Sequence, residues 1–269
     1  MSVNTYELLK NLGFSEQRVI QMLPGIGGRS FVANEILWPR GQAQQPWTHV
    51  LSGLVCASIP EQDGGFNPIA IYGPGTWFGE AAFLSHRPSA LEYVCLTPVR
   101  ALQVPFEITL GAFENDPAFA RYMARLVTWR DQQHGEKLTL MRIGSPAQRV
   151  VLGLALLAEA MLSNSSHLPG TRLDDSLEIP LKQSLLASLC GVTRGVLSVC
   201  LKQLAAAGWC HVHYATVTLR RLKTWGSFSD AQRHNRLSLS KSSMSELLSL
   251  MDEASVTAEQ LDQNAVLST

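Results

Sequence analysis

Leu185-Leu186-Ala187-Ser188-Leu189-Cys190-Gly191-Val192-Thr193-Arg194-Gly195-Val196-Leu197-Ser198-Val199-Cys200 places small, apolar and polar residues in the order of two short helices meeting at a tight corner. Ala187 is small where the helices would cross. Gly191 stands at the turn, where a positive φ costs a glycine least. Leu186, Cys190, Val192, Leu197 and Cys200 supply contacts between the helices and with a core beneath them. Thr193 is placed to cap the second helix, which puts Arg194 in its first turn. A helix-turn-helix is predicted, although an ordinary helical hairpin with one solvated arginine fits the same residues.

The surroundings of this stretch are basic. Between Leu181 and Trp225 stand Lys182, Arg194, Lys202, Arg220, Arg221 and Lys223 with no Asp or Glu, although the whole chain balances 22 Lys and Arg against 22 Asp and Glu. Such a segment suits a polyanion. Gly208 is a C-terminal stop for the second helix. After it, Trp209-Cys210-His211-Val212-His213-Tyr214 and Thr216-Val217-Thr218-Leu219-Arg220 alternate as strands do, which predicts a hairpin, or wing. His213 near its tip can touch a phosphate. Cys210, His211 and His213 lack the paired spacing of metal ligands.

At 269 residues the chain exceeds the usual size of one domain, and two domains with a connection are expected. No stretch is apolar and long enough to span a bilayer, and Met1-Ser2-Val3-Asn4-Thr5-Tyr6-Glu7 lacks the basic-then-apolar order of a signal peptide, so a cytoplasmic location is expected. Cys56, Cys95, Cys190, Cys200 and Cys210 are odd in number and scattered, which favours buried free thiols.

From Arg29 to Val104, short apolar runs such as Val50-Leu51-Ser52-Gly53-Leu54-Val55 and Ile69-Ala70-Ile71-Tyr72-Gly73-Pro74-Gly75 are punctuated by glycine and proline. They predict a compact β-barrel or roll. Tyr6 to Leu23 has helical periodicity, and Gly25-Ile26-Gly27-Gly28 reads as a flexible link into the roll. Asn115-Asp116-Pro117 is a start signal for a long helix running to Gly144. Its stripe of Phe119, Met123, Leu126, Val127, Leu138 and Met141 is interrupted by Arg130 and His134; it suits pairing with a second copy or packing on its own roll. Ser227 to Thr269 is serine-rich, which predicts a flexible tail with one amphipathic helix near Ser243 to Ala254.

Within the β region, Gly75-Thr76-Trp77-Phe78-Gly79-Glu80-Ala81-Ala82-Phe83-Leu84-Ser85-His86-Arg87-Pro88-Ser89-Ala90 combines a glycine, a carboxylate, a short helical turn, an arginine and a serine. Together these can hold a ligand's hydroxyl and anionic groups. The segment resembles the phosphate-binding cassette of cyclic-nucleotide-binding β-rolls. With the helix-turn-helix and wing downstream, the chain resembles the Crp/Fnr family of bacterial transcription regulators from Phe31 to Trp225. The resemblance implies an α+β fold: a β-roll of the double-stranded β-helix or jelly-roll kind over 1–115, a dimerisation helix over 116–144 and a winged helix-turn-helix over 145–226, before the tail at 227–269.

The departures from the family bear on the effector. In cyclic-AMP-responsive members the cassette is longer and its arginine directly precedes the serine, whereas here Pro88 separates Arg87 from Ser89. Glu80 matches the ribose-binding glutamate, and the base-contacting Thr-Ser pair of the long helix falls at His134-Gly135. Cyclic AMP is therefore not the expected effector. Gly79, Glu80, Arg87, Ser89 and His134 are candidate effector contacts, or a cassette kept for structure alone. The iron–sulfur members use N-terminal cysteines, and none here precedes Cys56, which argues against a cluster. Haem-binding members use His or Cys near the roll and dimer helix; His86 and His134 are available, but a lone histidine is more often solvated or hydrogen-bonded.

The family's base-reading run has Arg, Glu and a second Arg; Arg194 matches the first, while Gly195 and Val199 occupy the other two positions. The resemblance implies a homodimeric transcription regulator that binds double-stranded DNA. The candidate contacts are Lys182, Thr193, Arg194, Ser198, Lys202, His213 and Arg220, and RNA polymerase is a further candidate partner. A rival reading is a ligand-binding or scaffold protein with a degenerate helix-turn-helix. An enzyme is disfavoured by the lack of a nucleophile–base constellation, metal-ligand cluster or dinucleotide loop.

Overall fold

Asn4 Oδ1 accepts from the Tyr6 N–H at 3.1 Å and Ser15 Oγ from the Arg18 N–H at 3.3 Å, which starts two short helices in the computed structural model, α1 (Thr5–Asn11) and α2 (Glu16–Met22). The run expected as one helix is broken by Gly13, whose φ of +91° a helix cannot continue. Residues 4–61, 66–162, 175–234 and 242–267 are described. They form a mixed α+β fold in two compact units, Met1–Gly135 with Met161–His167, and Glu136–Ala160 with Leu168–Thr269.

The first unit is a jelly roll. One antiparallel sheet has the order β1 (Gly27–Phe31), β8 (Val99–Val104), β3 (Trp47–Ser52), β6 (Trp77–Phe78); the other has β2 (Ile36–Trp38), β7 (Glu92–Cys95), β4 (Val55–Pro60), β5 (Phe66–Tyr72). Gly27 and Gly28 are strand residues opposite Gln103 and Leu102, not a flexible link: ladder pairing uses the backbone, which glycine supplies. Val50, Val55, Ala57, Phe78, Tyr93, Cys95, Val99 and Ala101 fill the space between the sheets. The outer face of the first sheet is covered as well, by α1, α2 and the start of a long helix, through Leu9, Phe14, Val19, Trp47, Trp77, Phe119 and Met123. Burial on both faces explains why β8 reads as Val-Arg-Ala-Leu-Gln-Val rather than in strict alternation.

A short helix, α3 (Glu80–Ser85), follows β6, and α4 (Phe106–Asn115) follows β8. Asp116 Oδ1 then accepts from the N–H groups of Ala118 (2.9 Å) and Phe119 (3.2 Å), opening α5 (Pro117–Ile143) where the start signal stands.

The second unit holds α6 (Pro146–Leu162), β9 (Ser176–Ile179), α7 (Gln183–Leu189), α8 (Arg194–Ala206), β10 (Cys210–Val212), β11 (Val217–Arg220), α9 (Leu222–His234) and α10 (Met244–Leu267). Its strands form an antiparallel sheet in the order β10-β11-β9, so the expected hairpin gains a third strand from before the helix pair. In the tail expected to be flexible over 227–269, the amphipathic helix expected near Ser243 to Ala254 is present within α10, which packs against α9, and 227–234 is also helical as the end of α9. Met244, Leu247 and Met251 recur at helical spacing and are buried, as are Trp225 and Phe228 of α9, which gives this segment an apolar stripe to cover. Residues 235–241 and 268–269 lie outside the described residues. All five cysteines are buried and outside any disulfide; burial raises the Cys95 and Cys210 thiols to about 11 and Cys190 to about 12, so these three stay protonated.

Candidate nucleic-acid interface

The corner between α7 and α8 is built from backbone needs. The helix axes turn through 99°, and Gly191 takes a φ of +63°. The Gly191 N–H donates to Ser188 O and the Val192 N–H to Ala187 O, both at 3.0 Å, which closes the end of α7. A side chain at Gly191 would lie 2.3 Å from Met141 Sδ, so glycine is needed for space as well as for φ. Arg149 Nη1 donates to Gly191 O at 2.9 Å and ties α6 to the corner. Thr193 Oγ1 accepts from the Val196 N–H at 3.4 Å and caps α8.

Inward, α8 buries Leu197, Cys200, Leu201 and Leu204; outward, it exposes Arg194, Gly195, Val199 and Lys202. Of the predicted contacts, Lys182, Thr193, Arg194, Lys202, His213 and Arg220 are exposed and Ser198 is half-buried. Lys182 is the residue before α7, and His213 lies at the hairpin tip, where its N–H donates to Thr216 O at 2.9 Å. Tyr214, which sequence reasoning passed over, is fully exposed at this tip, 101 % of its surface being free. Arg220 Nη1 lies 3.3 Å from His211 Nε2 across the hairpin. Two acidic groups join the neighbourhood from outside 181–225. Glu178 of β9 pairs opposite Thr218 and is exposed, and Asp252 of α10 stands 3.9 Å from Arg221. A surface pair of that length contributes about 0–1 kcal/mol, too little to withdraw Arg221 from a phosphate. Among the described residues no group of three or more His, Cys, Asp or Glu side chains gathers as a metal site would. No single helix there is long and apolar enough to cross a membrane.

In the first unit, Gly79 of the cassette-like segment 75–90 has a φ of +99°, and its missing side chain would press on Pro46 O at 3.0 Å. Next to it the buried Glu80 carboxylate is held by an arginine of α5. Arg130 Nη1 donates to Glu80 Oε1, Nη2 donates to Trp77 O, and the guanidinium lies 5.4 Å over the Tyr72 ring. Tyr72 stacks on Phe78 at 4.9 Å and Phe78 on Tyr93 at 5.0 Å, so aromatic rings floor this place. Burial lowers the Arg130 pKa, but a guanidinium starts so high that it stays charged, with Glu80 as counter-ion. The sequence carried a signal for this pair: 119, 123 and 130 fall on one helix face, so Arg130 continues the buried stripe of Phe119 and Met123 instead of interrupting it. Of the other predicted effector contacts, Arg87 is exposed, and Ser89 Oγ is engaged with Leu91, donating to its carbonyl at 2.8 Å. His134, one turn beyond Arg130, is exposed, so the α5 side chain that meets Glu80 is Arg130.

Residues 28–116 match the sequence model of the cyclic nucleotide-binding domain. No curated protein matches the sequence. Among solved structures, the chain is similar to FixK2 of Bradyrhizobium japonicum, with a TM-score of 0.62 and 18% identity over 74% of this chain and 95% of that one. It is also similar to a CRP/FNR-family transcriptional regulator of Thermus thermophilus, with a TM-score of 0.57 and 20% identity over 76% of this chain and 98% of that one. A third is the c-di-GMP responsive global regulator CLP of Xanthomonas campestris, with a TM-score of 0.56 and 18% identity over 77% and 99% of the two chains. Residues 28–116 are therefore a cyclic nucleotide-binding domain, within a chain that has the fold of the CRP/FNR transcriptional regulators.

Proposed function

We propose that this chain is a homodimeric, sequence-specific DNA-binding transcription regulator of the Crp/Fnr type, acting in the cytoplasm and not responding to cyclic AMP. Residues 1–115 serve as the sensor, 116–144 as the dimerisation helix and 145–226 as a winged helix-turn-helix. The observation that carries the reading is the exposed Arg194 in the first turn of α8, on a capped and braced corner, with Lys182, Lys202 and Arg220 exposed in the same unit. An N-terminal arginine of such a helix can take a guanine edge, and the flanking cations take phosphates. Pairing is supported by α5, where Val127 and Leu138, 40 % and 60 % exposed, fall on one helix face and give apolar surface that a second copy would cover. Two-fold pairing suits half-sites in successive major grooves.

The Arg130–Glu80 pair supports the effector reading. A cyclic nucleotide would need the Glu80 carboxylate that Arg130 already holds, and Arg87 stands exposed rather than aimed beside it. With Glu80 neutralised in this way, the sensor answers to an effector other than cyclic AMP; where none occupies it, the amount of dimer in the cell sets occupancy of the operator. Selecting bound fragments from random duplexes should enrich a near-palindromic sequence, and calorimetry with cyclic AMP should give no binding heat. Arg194→Ala should relax base choice more than it weakens non-specific binding; an unaltered footprint preference in that variant would remove Arg194 from the reading.

A further inference from the structure

Two residues on the outer face of α8 work against the helix that carries them. Gly195 is exposed, and a side chain built there meets nothing nearer than Thr193 Oγ1 at 4.0 Å. Val199, four residues on and on the same face, is 57 % exposed. Glycine and valine are both poorer helix formers than alanine, and neither position is called on to fill the core. Packing and propensity therefore leave this pair without a structural purpose, while their shapes complement each other: a hollow where the helix backbone is bare, bordered by two branched methyl groups.

We propose that Val199 and the hollow at Gly195 read the 5-methyl group of thymine, making Val199 a specificity-determining residue of this protein. This rests on the DNA-binding reading given above. In the major groove the thymine methyl is the apolar projection among hydrogen-bonding edges, and an aliphatic side chain is its natural contact. Gly195 lets the helix approach closely enough for the methyl to enter. Val199 follows Arg194 by five residues, a rise of about 7.5 Å along α8, so both side chains reach the same half-site. Each half-site then combines a guanine with a thymine, in place of an edge read by carboxylate or a second guanidinium.

The test uses the full chain and the operator it selects from random duplexes, with each thymine replaced in turn by deoxyuridine, which lacks only the methyl. One thymine per half-site should weaken binding about fourfold when replaced, and about fifteenfold when replaced in both halves, the loss expected for one and two buried methyl groups. Val199→Ala should bind the thymine and deoxyuridine duplexes alike, and Val199→Ile should keep the distinction. Equal wild-type binding to every uridine duplex, or discrimination retained by Val199→Ala, overturns the role of Val199 while leaving DNA binding intact. Failure to enrich or bind any duplex at any salt overturns the DNA-binding reading itself.

Discussion

Glu80 and Arg130 are 8 % and 13 % exposed, so each is a buried ion that depends on the other. Removing one partner of such a pair costs about 3–5 kcal/mol, because the remaining charge is left buried, whereas removing both costs much less. Arg130→Met should therefore lower the unfolding free energy by that amount, and adding Glu80→Gln should recover most of it, as read by urea unfolding with Trp47 and Trp77 fluorescence. His49 is a second sensitive residue, buried 4.7 Å from the Trp77 ring, with its pKa lowered by burial to about 4. The folded state refuses a proton that the unfolded chain accepts near pH 6.5. The contribution of His49 is thus intact above pH 6.5 and fades as the pH falls towards 4, a loss of about 2 kcal/mol by pH 5. Melting curves from pH 7.5 to 5 should show the first unit weakening, and His49→Gln should flatten that slope.

Among the elements, α10 contains the amphipathic helix expected near Ser243 to Ala254, continues beyond it, and lies in a tail whose composition suggested flexibility. Serine content and scattered charge argue for mobility, yet three apolar residues at helical spacing suffice to bury a stripe against α9. Ser145 Oγ donates to Ser242 O at 2.7 Å, and the Ser243 N–H donates to Glu246 Oε2 at 2.6 Å, anchoring and capping the start of this helix. Leu247 and Met251 are both wholly buried. Met251→Ala should destabilise the second unit by about 2–5 kcal/mol, as a core truncation does, and calorimetric melting would detect it; a change within about 0.5 kcal/mol would return α10 to the status of a loose appendage.

Across the whole molecule, charges are balanced in number and segregated in sequence. All 22 acidic residues fall outside the segment 181–225, which keeps six cations for itself. The logarithm of the affinity for duplex DNA should fall linearly with the logarithm of salt concentration, because cations that contact phosphate release counter-ions. Lys202→Gln removes one exposed cation from each copy and should reduce the magnitude of that slope by about 1.8 in a dimer, measured by fluorescence anisotropy titrations over a salt series. A slope unchanged by this substitution would place Lys202 away from the phosphates.

What could be read along the chain were the features whose physical cause is local. The glycine corner at Gly191, the cap at Thr193, the start of α5 at Asp116-Pro117 and the turn-punctuated strands all follow from backbone requirements met by adjacent residues. The cassette stretch was legible for the same reason, as a glycine and a carboxylate side by side. Features joining distant residues were set by the way elements lie on one another. Arg130 finds Glu80 across 50 positions because Phe119 and Met123 fix the rotation of α5 on the roll; β9 joins the sheet of β10 and β11 across an intervening helix pair; and α10 becomes a packed element because α9 offers it a buried face. Pairing of that kind depends on register and rotation in space, which local propensity does not encode.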